Sequence, residues 1–384
     1  MKITILKSQL FRTGGLEKYT WNIAAAFCKK GFPVTILTTG KVTPAVSRFT
    51  DPNLKIFSFP IDYPLSSLNV YHFDKACQSY LRDHPTSIVF SLDRNRSQTH
   101  LRAGNGVHAS YLQRRSQEEG FLKRCSFALN PLHKCLLKLE KHAFEDPSLQ
   151  VLFTNSHMVK NEILSLYKTD PQKIQVIHNG VEWHEMKNDF TLSHIQRPSF
   201  AKEFGLDLTS YQFLFIGNNY HRKGLEKLLY ALASLPHKNF ELSVIGKEKN
   251  ISYFQALKRK LNLKDQIHFF GERCDVRSFY KIADALIIPS LYDPFANVTV
   301  EALAMGVFVV SSKTNGGHEV LTQENGVIID DLNDCNSVAQ ALETAMNHPK
   351  TLQSSQRVRD SIQHLDFENQ LSSLCDVTLG RPTV

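Results

Sequence analysis

Two acids, two cations and a histidine stand where the chain could act on a charged, hydroxyl-rich ligand. Asp293 and Glu301 are separated by seven residues in Asp293-Pro294-Phe295-Ala296-Asn297-Val298-Thr299-Val300-Glu301, between the apolar run 285–289 and Ala302-Leu303-Ala304-Met305-Gly306. This pattern predicts a strand, an acidic turn, and a helix whose first N–H groups lack intrahelical partners, a turn suited to an anion or polar ligand. An acidic helix start that only complements the macrodipole would use the same residues. Arg222-Lys223-Gly224 stands about 70 residues earlier, shortly after the apolar run 212–216. Arg offers a fork to paired phosphate oxygens and Lys a compact charge, so together they can neutralise a diphosphate without a metal. An exposed Arg-Lys pair is also often simply solvated. His108 follows Gly104-Asn105-Gly106-Val107, where glycines expose backbone beyond an expected strand end, although a single His is usually structural. Gly14-Gly15 is either a tight turn or a close approach to phosphate, because no third glycine completes a dinucleotide GxGxxG pattern.

The elements that must position these groups alternate between strand and helix periods. Residues 2–6, 34–37, 54–59 and 87–92 read as strands, with helical patterns over 16–30 and 65–81 between them. Further strands are expected near 151–156 and 174–178, then at 212–216, 241–245, 266–270, 285–288 and 308–310. Helices are expected around Val338-Ala341-Leu342-Ala345 and over 365–374. This is an α/β chain with parallel sheets. Residues 182–200 are polar and weakly patterned, and an interdomain linker is expected there. The expected domains are 1–190, 191–355 and a helical tail, 356–384, packing back towards the first domain.

With 384 residues, 42% apolar and 21% charged, the chain fits two cores. No apolar run approaches the roughly 18 to 20 residues of a membrane span. The start, Met1-Lys2-Ile3-Thr4-Ile5-Leu6, has no signal-peptide core, so a cytoplasmic protein is expected. Seven cysteines form no CxxC pair and fit neither a disulfide framework nor a zinc site. The net charge of +8 is concentrated in residues 1–190, with 25 Lys/Arg against 16 Asp/Glu, whereas 191–384 carry 20 against 21. An anionic partner is therefore expected for the first half. Residues 111–144 interleave Arg114, Arg115, Lys123, Arg124, Lys134, Lys138 and Lys141 with Phe and Leu, broken by Pro131. They suit either an interfacial segment drawn to anionic lipid or a crossover helix with a solvated basic face. No recognition motif or stacking platform supports nucleic-acid binding, and no Asp-x-Asp is present to hold a metal.

Taken together, Gly14-Gly15, Asn155-Ser156, Asn179-Gly180-Val181, Arg222-Lys223-Gly224, Gly316-Gly317 and the paired acids resemble the retaining nucleotide-sugar glycosyltransferases of glycosyltransferase family 4 over nearly the whole chain. Glu119-Gly120-Phe121-Leu122 and 231–236 look more narrowly like the branch that adds glucose to a heptose of the lipopolysaccharide core. The resemblance implies the GT-B fold, two facing Rossmann-like domains with a cleft between them. It further implies that Glu301 holds the ribose hydroxyls, Arg222 and Lys223 the diphosphate, and Asp293 the donor sugar, helped by backbone N–H groups around Phe295, Ala296 and Asn297. Gly14 and Gly15 would approach the diphosphate, His108 would lie near the transferred sugar, and Gly246 and Arg273 would border the base. Two residues depart from the family's Glu-Pro-Phe-Gly form: Asp293 is one methylene short, and Ala296 replaces Gly. The implied activity is metal-independent hexosyl transfer, with glucose from UDP-glucose as the expected case and no cofactor beyond that co-substrate. The implied acceptor is an anionic glycolipid, met at the inner face of the cytoplasmic membrane. A mannosyl or N-acetylhexosaminyl transferase, and a sugar-binding or scaffolding relative without catalysis, remain alternatives. A Rossmann-fold oxidoreductase is disfavoured by the missing GxGxxG.

Overall fold

The computed structural model describes residues 1–10, 15–40 and 51–381, so Gly14 lies outside the described residues. Contacts divide the chain into two compact units, Met1–Ile177 with Gln370–Val384, and His178–Asn369. In the first unit the order is β1 (Ile3–Gln9), α1 (Gly15–Lys29), β2 (Val34–Thr39), β3 (Leu54–Phe59), α2 (Ser66–Asp83), β4 (Ile88–Ser91), β5 (His100–Arg102), α3 (His108–Glu118), α4 (Phe121–Leu129), α5 (Pro131–Glu145), β6 (Val151–Thr154), α6 (His157–Leu166) and β7 (Ile174–Val176). Its seven strands lie in the order β3-β2-β1-β4-β5-β6-β7, all parallel. Ile3 faces Val34 on one side and Ile88 on the other. Helices cover both faces of such a sheet, which is why its strands read as continuous apolar runs. Phe73 and Cys77 of α2 pack on Leu6, Leu37 and Val89, while Phe144 of α5 and Ile163 of α6 pack on Leu101 and Leu152.

The second unit runs α7 (Lys187–Phe204), β8 (Tyr211–Ile216), α8 (Leu225–Ser234), β9 (Phe240–Ile245), α9 (Ile251–Lys260), β10 (Ile267–Gly271), α10 (Val276–Ile282), β11 (Ala285–Ile288), α11 (Asn297–Ala304), β12 (Phe308–Ser312), β13 (Gly326–Ile329), α12 (Cys335–Met346), α13 (Leu352–Asp360) and α14 (Phe367–Thr378), whose residues from Gln370 onward count with the first unit. Its six parallel strands are ordered β10-β9-β8-β11-β12-β13, which repeats the first six positions of the other sheet. Leu225, Leu228, Leu229 and Leu232 of α8 are fully buried against Phe213, Phe240 and Leu242. Each such side chain contributes roughly 1.5–3 kcal/mol through the apolar area it removes from water.

Three expectations need correction. Residues 182–200 are not a linker, because most of them belong to α7, which packs on α10. Phe204 stacks on Phe279 at 4.6 Å, and Asp189 pairs with Arg277 at 2.8 Å and Lys281 at 2.9 Å. Pro198 inside the helix and an evenly polar sequence hid it, while Gly205, left-handed at φ 70°, ends it. The first boundary falls at 177/178 rather than 190, since Val181 already bridges Asp366 within the second unit. The tail separates at Gln370 rather than 356, because Val358, Ile362 and Leu365 belong to the second unit's core. From there α14 joins the first unit, where Asp376 pairs with Lys30 at 2.8 Å. One strand was not anticipated, β13, which begins on a glycine; β5, whose end is expected before Gly104, gains no range from the sequence pattern because it is three residues long with polar ends.

Candidate active site

In the second sheet β8 and β11 are neighbours, with Phe213 facing Ala285, and strand order reverses between them. Parallel sheets open a crevice at the carboxyl ends of such strands. Both charged motifs lie there. Beyond β8 the chain turns through Asn219, left-handed at φ 61°, whose Oδ1 accepts from Arg222 N at 3.2 Å. Gly224 closes the turn at φ 77°, and a Cβ there would lie 1.8 Å from the carbonyl oxygen of Pro289, so only glycine lets the cationic turn sit against the end of β11. Gly246, at φ 128°, similarly brings the end of β9 against Gly217, whose oxygen would be 2.2 Å from an added Cβ.

This close approach brings cations and acid together. Lys223 Nζ lies 2.5 Å from Asp293 Oδ2, and Arg222 NH1 lies 3.7 Å from the same oxygen while donating to Tyr292 O at 3.1 Å. Asp293 is 8% exposed. Its backbone is pinned as well, N to Thr314 O at 2.9 Å and O from Gly316 N at 2.9 Å. The turn into α11 is built on Asn315, fully buried, whose Oδ1 accepts from Ala296 N at 2.9 Å and Gly317 N at 3.2 Å, and whose Nδ2 donates to Ser311 Oγ at 3.0 Å. The N–H of Ala296 is therefore already engaged within the protein, and its side chain is buried like that of Phe295. Asn297, the first residue of α11, accepts from Asn179 Nδ2 at 2.7 Å. Neither α8 nor α11 has a side-chain N-cap, although at the start of α8 Leu225 N already donates to Tyr220 O at 3.0 Å.

Glu301 sits one turn further along α11, where Tyr280 OH donates to its Oε2 at 2.9 Å. Burial, with the Glu301 carboxylate beside it, holds the Tyr280 phenol far above its ordinary range, so the hydroxyl remains a donor. Arg273 is gripped bidentately by Asp275 at 2.8 and 2.6 Å and lies over the rings of Phe204 and Phe279. Among the described groups, Asn315 and Tyr280 were not singled out from sequence. Asn315-Gly316-Gly317 carries a turn signal that points to the former, whereas nothing in the amphipathic pattern of α10 distinguishes Tyr280.

The first unit holds His108 at the start of α3 and Gly15 at the start of α1. Glu140, fully buried on α5, accepts from His108 N at 2.6 Å, Ala109 N at 3.0 Å, Tyr167 OH at 2.6 Å and Arg94 Nε at 2.7 Å. The His108 ring nitrogen Nε2 lies 3.1 Å from His133 Nδ1. Burial, reinforced by the Arg94 charge, lowers His108 to about 4, so the ring is neutral near pH 7. At the carboxyl ends of β1, β2 and β3 a cavity of about 1060 Å³ opens, with Ser8, Thr39, Ser58 and Asn69 in its polar lining and Phe59 and Val70 in its apolar lining.

Comparison with known proteins assigns both halves. The model of Glycosyltransferase Family 4 matches residues 13–184 and that of Glycosyl transferases group 1 matches residues 196–360. An uncharacterised glycosyltransferase of Methanocaldococcus jannaschii is 26% identical over 328 residues, 82% of this chain and 80% of the relative. The lipopolysaccharide glucosyltransferase WaaG of Escherichia coli is 24% identical over 323 residues, 83% and 82% of the two chains. The crystal structure of WaaG superimposes with a TM-score of 0.78 at 22% identity over 98% of this chain and 100% of that one, and Anabaena HepE in complex with UDP gives 0.68 at 14% identity over 99% and 100%. Two parallel-sheet Rossmann-like units, a cationic turn facing an acid at the second sheet's reversal, and a family model on each half lead to one assignment: the chain is a GT-B glycosyltransferase with a family 4 domain followed by a group 1 domain.

Proposed function

We propose that this enzyme is a retaining, metal-independent hexosyltransferase that moves glucose from UDP-glucose to a lipid-linked glycan of the lipopolysaccharide-core type at the inner face of the cytoplasmic membrane. The observation that carries the proposal is the meeting of Arg222 and Lys223 with Asp293 at the β8/β11 reversal. On this reading a diphosphate takes the two cations, Glu301, oriented by Tyr280, takes the ribose hydroxyls, and Asp293 takes hydroxyls of the donor sugar. Gly246 and Arg273 border the base, the backbone at Phe295, Ala296 and Asn297 shapes the sugar side, and Gly14-Gly15 and His108 serve from the first domain. Breaking the anomeric C–O bond builds positive charge on the sugar and negative charge on the leaving diphosphate, which fixed cations and helix N-termini stabilise. The acceptor oxygen bonds to the anomeric carbon on the face the diphosphate leaves. Its proton passes to a leaving-phosphate oxygen, so no carboxylate pair acts in the glycosidase manner.

The acceptor glycan is assigned to the cavity at the ends of β1–β3, and the membrane contact to residues 111–144. In support, Lys134, Lys138 and Lys141 are exposed along α5, and Leu129 is 74% exposed. WaaG, by its name a lipopolysaccharide glucosyltransferase, and HepE, solved with UDP-glucose, lend the acceptor type and the donor. A thermal-shift panel of UDP-, GDP- and ADP-sugars tests the donor, since a ligand of the folded state raises Tm with the logarithm of its concentration over Kd. UDP-glucose is expected to shift Tm most, and turnover is expected to persist in EDTA. A larger shift with a GDP- or ADP-sugar overturns the donor assignment. Co-sedimentation with anionic vesicles should weaken with salt; binding that ignores both salt and lipid charge removes the membrane assignment. The short Asp293, already engaged by Lys223, favours a second reading as a sugar-binding relative without catalysis, and absence of product from every donor that binds would establish it.

A further inference from the structure

We propose that His133 is a positioning residue for sugar transfer, holding the His108 imidazole in one tautomer and one rotamer from the first turn of α5. The inference rests on the reading above that His108 borders the transferred sugar. His133 and Glu140 are seven residues apart on α5, two helical turns, and therefore share one face. They hold the same residue at two points. Glu140 fixes the backbone, accepting from His108 N at 2.6 Å and from the next N–H, Ala109, at 3.0 Å. His133 fixes the ring, its Nδ1 lying 3.1 Å from His108 Nε2. Arg94 and Tyr167 occupy Glu140 from its other sides at 2.7 and 2.6 Å, so the carboxylate is held in place. One rigid helix thus sets both main chain and side chain of residue 108.

Chemistry then makes His133 more than a packing partner. A neutral imidazole has one N–H and one lone pair, so a bond between Nε2 of one ring and Nδ1 of the other requires one to donate and the other to accept. The choice decides whether Nδ1 of His108 offers a proton or a lone pair. Burial, followed by Arg94, depresses His108 to about 4, and burial with Arg115 lowers His133. Among the described residues, the groups facing the pair are Arg94, Glu140 and the Tyr111 ring (6.0 Å) beside His108, and Arg115 beside His133, with the Phe127 ring edge-on to His133 at 6.0 Å. Both rings are therefore neutral near pH 7, the state in which a tautomer has meaning. Asn130 caps α5 through Leu132 N at 2.9 Å and Pro131 fills its first position, so the turn bearing His133 is itself fixed.

The test uses the full chain with histidine ¹⁵N labelling and the variants H133F, H133N and H108A, with H133A as a second deletion of the ring. Phe keeps the ring volume without a polar atom, whereas Asn places an amide near the Nδ1 position. The nitrogen shifts of His108 are expected to report one tautomer in the wild type and H133N, and an average of two in H133F and H133A. With the donor sugar that the thermal-shift panel selects, H133F should lower kcat about tenfold and leave the donor KM within about twofold, while H133N recovers most of the rate. The acid limb of the pH profile should move upward in H133F, because a group that depresses His108 is removed. Unchanged His108 nitrogen shifts in H133F and H133A overturn the inference. So does wild-type kcat in H133F when H108A is inactive. Wild-type turnover in H108A overturns instead the placement of His108 at the sugar, and the nitrogen shifts then decide the tautomer by themselves.

Discussion

Both sheets reverse their strand order beside their first strand, and at each reversal a lysine beyond or within one strand meets an aspartate beyond the next. In the first unit Asp93 is fully engaged: Oδ2 accepts from Ser8 N at 2.6 Å and Ser8 Oγ at 2.7 Å, and Oδ1 faces Lys7 Nζ at 3.2 Å. In the second, Asp293 faces two cations, Lys223 at 2.5 Å and Arg222 at 3.7 Å, and the Arg222 side chain is 33% exposed. Among the described residues, one acid matched by one lysine closes a structural joint, whereas one acid set against two cations leaves a positive surplus. On the proposed reading the same topology serves stability in one unit and ligand charge in the other, and the difference lies in two consecutive residues, Arg222 and Lys223.

If that contrast holds, K223A should reduce transfer by roughly 10²–10³-fold, the usual effect of removing a fixed transition-state charge, and should lower Tm less than D93N does, because Arg222 at 3.7 Å still faces Asp293. An assay near wild-type turnover would break the comparison outright. R222A should act in the same direction and also weaken the UDP-induced rise in Tm. In the first unit D93N should do the opposite, lowering stability in urea by about 3 kcal/mol through a part-buried lysine left unpaired, with donor binding intact. A shift in donor affinity as large as that of K223A would show that the first reversal also serves the donor.

Acid and base should separate the units too. Burial lowers His100 and His108 of the first unit to about 4. The unfolded chain then binds protons before the folded one, and stability falls as pH drops from about 6.5 towards 4, by roughly 3 kcal/mol for the buried His100. In the second unit burial lowers Lys350, whose Nζ donates to Tyr280 O at 2.6 Å, to about 7. Between about 7 and 10.5 the unfolded chain holds the extra proton, so stability rises with pH across that window and does not depend on this group below it. Urea titrations across pH should show the rise in the wild type and lose it in K350M. The smallest expected effect is Y280F, which removes one hydrogen bond to Glu301 and should raise the donor KM about fivefold with kcat little changed.

Much of this was legible in the chain. Strands buried on both faces announce themselves as apolar runs, so β1, β2, β8 and β11 stand out. The acid and cation motifs follow from residue type, because glycine at 224 and the acids at 293 and 301 are constrained locally. What sequence did not disclose depends on distant partners. The pairing of Lys223 with Asp293 is set by strand order across 70 positions. Tyr280 reaches Glu301 from another helix, Asn315 takes up the Ala296 N–H, and Glu140 and His133 act only because α5 returns to the start of α3. Helix α7 was missed because its packing through Phe204 and Asp189 outweighs a weak pattern and an internal proline.

The division of the chain bears on the order in which it is made. The second unit is one uninterrupted stretch whose ends are zipped where Val181 N bonds to Leu365 O at 3.0 Å and Phe367 N to Val181 O at 2.8 Å. The first unit is split: Leu374 and Cys375, both fully buried, and Asp376, which pairs with Lys30, come from the far end. Because chains fold as they emerge, N-terminal portion first, the domain begun first on the ribosome is the last to be completed. Its α1 face waits through synthesis of the entire second unit for α14. A truncation at 369 should therefore leave a well-formed second domain attached to a first domain that binds chaperones, even though the cut falls far along the sequence from the part that fails.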